Sequence, residues 1–178
     1  MAWVPGTRKL TGIMTDVYFT RKADIMEWPT LPATFTTSMG ELVTYVGDFT
    51  LAANAKWNKI TTDVDKSPVD GKSQGNYPSK TFLNSVTLLH EGTEEDASAF
   101  AMQANNDDLV YLLKTKNGKF RVIGNEMWQT KNEADQKLGA QATDEMGTTI
   151  TITVTDIAPG LFYKGEIVTE DGTIDAGA

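Results

Sequence analysis

The sequence predicts a mainly β protein, an antiparallel β-sandwich or barrel with one flanking α-helix and a long inter-strand loop. Three observations predict it. Segments in which apolar and polar residues alternate recur along the chain, an Asn-Gly pair stands between two of them, and a single segment carries helical spacing. The repeated strand–helix alternation that a parallel sheet needs does not occur.

In chain order, Asp16-Val17-Tyr18-Phe19-Thr20 is a short β-prone run. Residues 41–49, through Val43, Tyr45 and Phe49, alternate well enough for a half-buried strand. Residues 56–65, which set Trp57 among charged neighbours, read as a strand, as do residues 80–90. Residues 93–106 form the helix. Thr93 is its N-cap candidate, Glu94, Glu95 and Asp96 bring negative charge to the positive end of the dipole, and Ala97, Phe100, Ala101 and Ala104 make an apolar stripe. Residues 108–114 and 119–124 flank Asn117-Gly118, a strong hairpin signal because both turn positions favour positive φ. Residues 148–155 alternate Thr with Ile and Val, which suits a pleated surface with one wet face.

These elements fit one domain spanning residues 1–178. An N-terminal arm, residues 1–14, places Trp3, Val4 and Pro5 ahead of Arg8 and Lys9, and apolar residues in such an arm need a surface to dock on. Residues 67–79, polar except for Val69 and Tyr77, read as the long loop, and the acidic residues 166–178 read as a flexible tail. The stretch between Trp128 and Gly147 fits no element.

Composition removes several classes of function. Lys and Arg number 16 against 24 Asp and Glu, and a net charge of −8 argues against a protein that reads nucleic-acid sequence through a basic face. The absence of Cys excludes disulfides, thiol nucleophiles and thiolate metal sites, and a single histidine, His90, excludes a His-rich centre. The charge is also polarised: nine acids from Glu133 to Asp175 face only Lys137 and Lys164. No apolar run has the length of a signal peptide core or a membrane span, so the expectation is synthesis in a cytoplasm and no membrane partner.

No motif supplies chemistry. Gly71-Lys72-Ser73 matches the end of a phosphate-binding loop, but Lys66 stands where its first glycine belongs. Asp63, Asp65 and Asp70 resemble a calcium loop, yet Pro68 occupies the position that needs Gly. His90-Glu91 has no serine nucleophile motif beside it. The expectation is therefore a protein without catalytic, cofactor-binding or metal-binding residues.

The layout of the whole chain resembles the major tail tube proteins of long-tailed bacteriophages, a family related in fold to the type VI secretion tube. The resemblance rests on the arm from Trp3 to Lys9, the long polar loop between strands 56–65 and 80–90, the single helix that follows, the hairpin about Asn117-Gly118 and the late Thr-rich strand. It implies a virion protein assembled in the host cytoplasm, whose subunits close into hexameric rings around a continuous inner β-barrel and stack into a tube. DNA passes through that lumen without specific binding, and the tail terminator, tape measure and baseplate or tail-tip proteins are the other partners. Trp3, Val4, Pro5, Val69, Asp70 and Tyr77 become the expected contacts between subunits and rings, and Asp48, Asp63 and Asp65 the expected lumen-facing acids. Two alternatives stand beside this reading: another phage component such as a terminator, baseplate or decoration protein, and a β-sandwich carbohydrate- or receptor-binding module with Trp57 or Trp128 as its stacking platform.

Overall fold

Leu109-Val110-Tyr111-Leu112-Leu113 is an apolar run without polar alternation, so a strand built from it has no face to offer water. A computed structural model of the chain, which describes residues 10–141 and 144–177, sets this run in the middle of three layers. The strands are β1 (Ile13–Arg21), β2 (Ile25–Glu27), β3 (Thr50–Leu51), β4 (Asn58–Thr61), β5 (Val69–Gln74), β6 (Thr81–His90), β7 (Leu109–Thr115), β8 (Phe120–Ile123), β9 (Lys131–Lys137), β10 (Gly147–Asp156), β11 (Leu161–Tyr163), β12 (Glu166–Thr169) and β13 (Gly172–Asp175). Helix α1 (Glu95–Ala104) connects β6 to β7.

Sheet I has the order β11-β8-β7-β1-β4 and sheet II the order β5-β6-β10-β9, both antiparallel throughout. Neither sheet closes on itself among the described residues, so the expected sandwich is present and a barrel is not. One face of sheet I packs on sheet II: Val17, Tyr111, Leu113 and Ile123 meet Val86, Leu88, Ile150 and Ile152. Phe100 of α1 packs against this core, edge-on to Phe19 at 4.6 Å between ring centroids.

The other face of sheet I carries Tyr18, Val110, Leu112, Phe120 and Val122. A third layer covers it, made of the irregular chain between β2 and β4 and of the β12–β13 hairpin. Phe49 is the hub of that layer, its ring 5.0 to 6.2 Å from those of Trp28, Tyr45, Trp57 and Tyr163. Period two then explains the pairing of neighbours: Leu112 belongs to one core and Leu113 to the other. One polar tie crosses the inter-sheet core. The buried Tyr111 hydroxyl donates to Asn132 Oδ1 on β9 at 3.0 Å, and Asn132 Nδ2 donates to the Asp107 carbonyl.

Several sequence expectations need correction. The long loop 67–79 is mostly strand: β5 pairs with β6 from Val69↔Val86 to Gln74↔Thr81, which leaves only a short connection. An edge strand takes its energy from the backbone ladder, so its side chains need not alternate. Gly71 has a steric reason, since a Cβ there would stand 2.8 Å from Pro159 Cβ. The tail expected to be flexible over 166–178 forms the β12–β13 hairpin over 166–175, with Ile167 fully buried and the Trp57 amide donating to the Val168 carbonyl. Residues 41–49 are not a strand. Ser38 and Glu41 form a capping box over the 3-10 turn Met39–Val43, and the chain then runs irregularly to β3.

Smaller corrections follow. The helix N-cap is Glu94 and not Thr93. Of the Asn117-Gly118 pair only Gly118 takes positive φ, at 83°, while the Asn117 side chain bonds Leu10 in both directions. The arm 1–14 ends inside β1, and its residues 1–9 lie outside the described residues. The unplaced stretch 128–147 supplies β9.

Because β7 is dry on both faces, Leu112→Ala should destabilise the fold by about 2–5 kcal/mol in urea titration. Tyr111→Phe, which orphans Asn132 Oδ1, should cost about 1–3 kcal/mol.

Candidate assembly surfaces

Sheet II has one dry face and one open face. Along β10, Ile150, Ile152 and Val154 are buried while Thr149, Thr151, Thr153 and Thr155 are partly exposed. Register carries the open face to the neighbouring strands: Thr151 stands opposite Thr87 and Glu133, and Thr153 opposite Ser85 and Lys131. Asp70 and Lys72 of β5 lie opposite Ser85 and Leu83. The face is thus a hydroxyl-rich centre flanked by charged edge strands, Asp70 and Lys72 on β5 and Lys131, Glu133, Asp135 and Lys137 on β9. Its three lysines balance its three acids. Both edges, β5 and β9, lack a backbone partner on their outer side among the described residues.

The turn joining β5 to β6 holds Tyr77, which is 89% exposed. At the end of sheet I near the β7–β8 turn, a cleft of about 970 Å³ opens between the 32–48 segment, Asn117 to Lys119 and the chain from Phe162 to Gly165. Its walls include Tyr45, Val46 and Phe162, with Glu41, Asp48, Lys119 and Lys164 beside them. The Glu41 carboxyl is held below its ordinary range by the Thr36, Thr37 and Ser38 amides that donate to it. Burial raises the Tyr163 hydroxyl to about 12; it donates to the Glu166 carbonyl and accepts from the Phe49 amide.

The structure gathers some of the expected contact residues and scatters others. Val69, Asp70 and Tyr77 share the β5–β6 hairpin: Val69 packs on the inter-sheet core, while Asp70 and Tyr77 are exposed. Trp3, Val4 and Pro5 lie outside the described residues. None of the expected lumen acids stands on a strand. Asp48 precedes β3 and accepts the Glu166 amide, while Asp63 caps the 3-10 turn Val64–Lys66, where its carboxylate accepts the Asp65 amide. These carboxylates serve loop geometry, which is why they leave the sheets. The acids on the open face are instead Asp70, Glu133 and Asp135. Sequence reasoning missed the latter two because the inward side of β9, Asn132-Ala134-Gln136, carries no apolar signal stronger than one alanine.

Trp57 is 1% exposed and cannot serve as a stacking platform; Trp128 is half-buried. His90 donates from Nδ1 to the Thr61 carbonyl at 2.8 Å, a structural use of the ring. Among the described residues no group of three or more His, Cys, Asp or Glu could hold a metal ion, and no helix is long and apolar enough to cross a membrane.

One buried acid lies beneath the sheet. Asp156, the last inward residue of β10, is 1% exposed; its Oδ1 accepts the Ile157 amide at 2.7 Å and its Oδ2 has no partner among the described residues. Burial pushes this carboxyl above its ordinary value, outweighing the hydrogen bonds that would lower it.

Compared with protein-family models, with curated proteins and with solved structures, the chain finds no match in any of the three.

The Asp156 environment predicts a pH effect. Its folded-state pKa lies above the unfolded one, so as pH rises through that interval the unfolded chain ionises first and stability falls. Asp156→Asn should stabilise the protein at pH 7 by about 1 kcal/mol, and the gain should vanish below the ordinary carboxylate range when urea midpoints are measured against pH.

Proposed function

We propose that this chain is a structural subunit that assembles with copies of itself into closed, stacked rings, and that it forms the tail tube of a long-tailed bacteriophage. The observation that carries the reading is sheet II, with two edges unpaired among the described residues and an open, hydroxyl-rich face. Directions along this sheet alternate, so with four strands β9 runs opposite to β5. In a cyclic ring, β9 of one copy therefore meets β5 of the next in antiparallel sense, and the sheet continues across the seam without a break. Closure removes both edges, which otherwise template uncontrolled pairing.

Charge supports the same seam. β5 brings Asp70 and Lys72, and β9 brings Lys131, Glu133, Asp135 and Lys137, so each sign can find its opposite across it. Six copies, the number the family resemblance implies, would join six such sheets around one lumen. The open faces would line it with hydroxyls and balanced charge. A lumen without a basic patch lets DNA pass without trapping its phosphates. Heterologous contacts between rings then build a filament, with Tyr77 at the hairpin tip as the contact offered. The terminator, tape measure and tail-tip proteins would be the partners that start and stop it.

Negative-stain microscopy of the purified chain should show rings or tubes, and monomers at every concentration and salt would overturn the reading. Lys72→Glu, which sets like charge against Glu133 and Asp135, should raise the concentration needed for assembly about tenfold, or ~1.4 kcal/mol. Thermal unfolding should be unchanged, and adding Asp135→Lys should restore assembly.

A further inference from the structure

We propose that the cleft beside the β7–β8 turn is the docking site of the chain's own residues 1–9, with the Trp3-Val4-Pro5 segment as the part it holds. The inference stands apart from ring formation and rests on where the described chain begins. Leu10 is tied to the turn by two hydrogen bonds, its amide donating to Asn117 Oδ1 at 3.1 Å and its carbonyl accepting from Asn117 Nδ2 at 3.2 Å. Asn117 is itself a wall of the cleft, together with Gly118 and Lys119. Leu10, the first described residue, is thus tied to a wall of a 970 Å³ cavity, and the nine residues before it can span up to about 30 Å, enough to cross it.

The chemistry of the two parts agrees. The cleft offers Pro32, Val43, Tyr45, Val46 and Phe162 as apolar wall, and Val46 is 59% exposed. Residues 1–9 bring Met1, Ala2, Trp3, Val4 and Pro5 as their apolar content, the last three within seven positions of the tether. Pro5 has its own φ fixed by its ring, which lowers the entropy that docking would cost. Attachment at Leu10 makes the event intramolecular, so the local concentration of the segment is on the order of millimolar whatever the protein concentration.

The absence of cysteine makes the test direct. In the full chain, a V4C/V46C double variant under mild oxidant should form a disulfide within one chain, at a rate independent of protein concentration. That rate should exceed about tenfold the rate in a V4C/M102C control, whose second site lies on α1. A disulfide formed only between chains would overturn the proposal and assign the cleft to another copy. A rate equal to the control would overturn it outright. As a measurement free of substitutions, amide exchange at residues 44–48 and 162–165 should quicken about tenfold when residues 1–9 are deleted, and unchanged exchange would contradict the proposal.

Discussion

The rest of this structure depends on a strand with no wet side. Leu109, Val110, Tyr111, Leu112 and Leu113 are each essentially inaccessible to solvent, and alternate members face opposite directions. Two apolar faces demand two covers. One is sheet II, a regular layer whose aliphatic positions on β6 and β10 match β7 in period. The other is assembled from what remains of the chain: a long irregular segment rich in aromatic residues, and the C-terminal hairpin. The buried side chains of β7 contribute roughly 1.5–3 kcal/mol each, more than any exposed ion pair here could supply. The third layer thus exists because β7 has a second apolar face.

That demand has a consequence for sheet II. The third layer uses the remaining irregular chain and the last hairpin, so little is left to cover the outer face of the second sheet. Its threonines, serine and charged edge residues stay in contact with solvent. Hydroxyl and β-branched character is what a strand needs when one face is packed and the other meets water or a polar lumen. Open edges are commonly blunted by short strands, charges or proline. Here β5 and β9 carry charges of both signs, a pattern that discourages promiscuous pairing while permitting a partner with the complementary order. The proposed ring follows from that pairing of an uncovered face with matched edges.

Legibility in the sequence followed side-chain periodicity closely. The Thr-alternating β10 and the helix stripe of Ala97, Phe100 and Ala104 were legible because each buries one face and leaves the other wet, and the hairpin about Asn117-Gly118 because its turn chemistry marks it. The two edge strands of sheet II were not, since backbone hydrogen bonds hold them and their side chains barely alternate. Apolar alternation in 41–49 misled: Val43, Tyr45 and Phe49 do turn inward, but as plugs in an irregular layer and not as a strand face. The capping box Ser38-x-x-Glu41 was the available signal against a strand there. Of the candidate surface, Asp70 and Tyr77 were found from sequence, while Glu133 and Asp135 became visible only when register set them across from Thr151 and Thr149. The loop aspartates 48, 63 and 65 could be placed only by their backbone partners, which no pattern in the sequence announces.

The central claim is that copies of this chain join through β5 and β9. Residue-resolved amide exchange on concentrated, assembled protein and on dilute protein tests it most directly. The account predicts that alternate amides within 69–74 and 131–137 gain protection on assembly, while those of β7, already buried, do not change. Assembled protein in which both edge strands exchange as fast as in the dilute chain would contradict it.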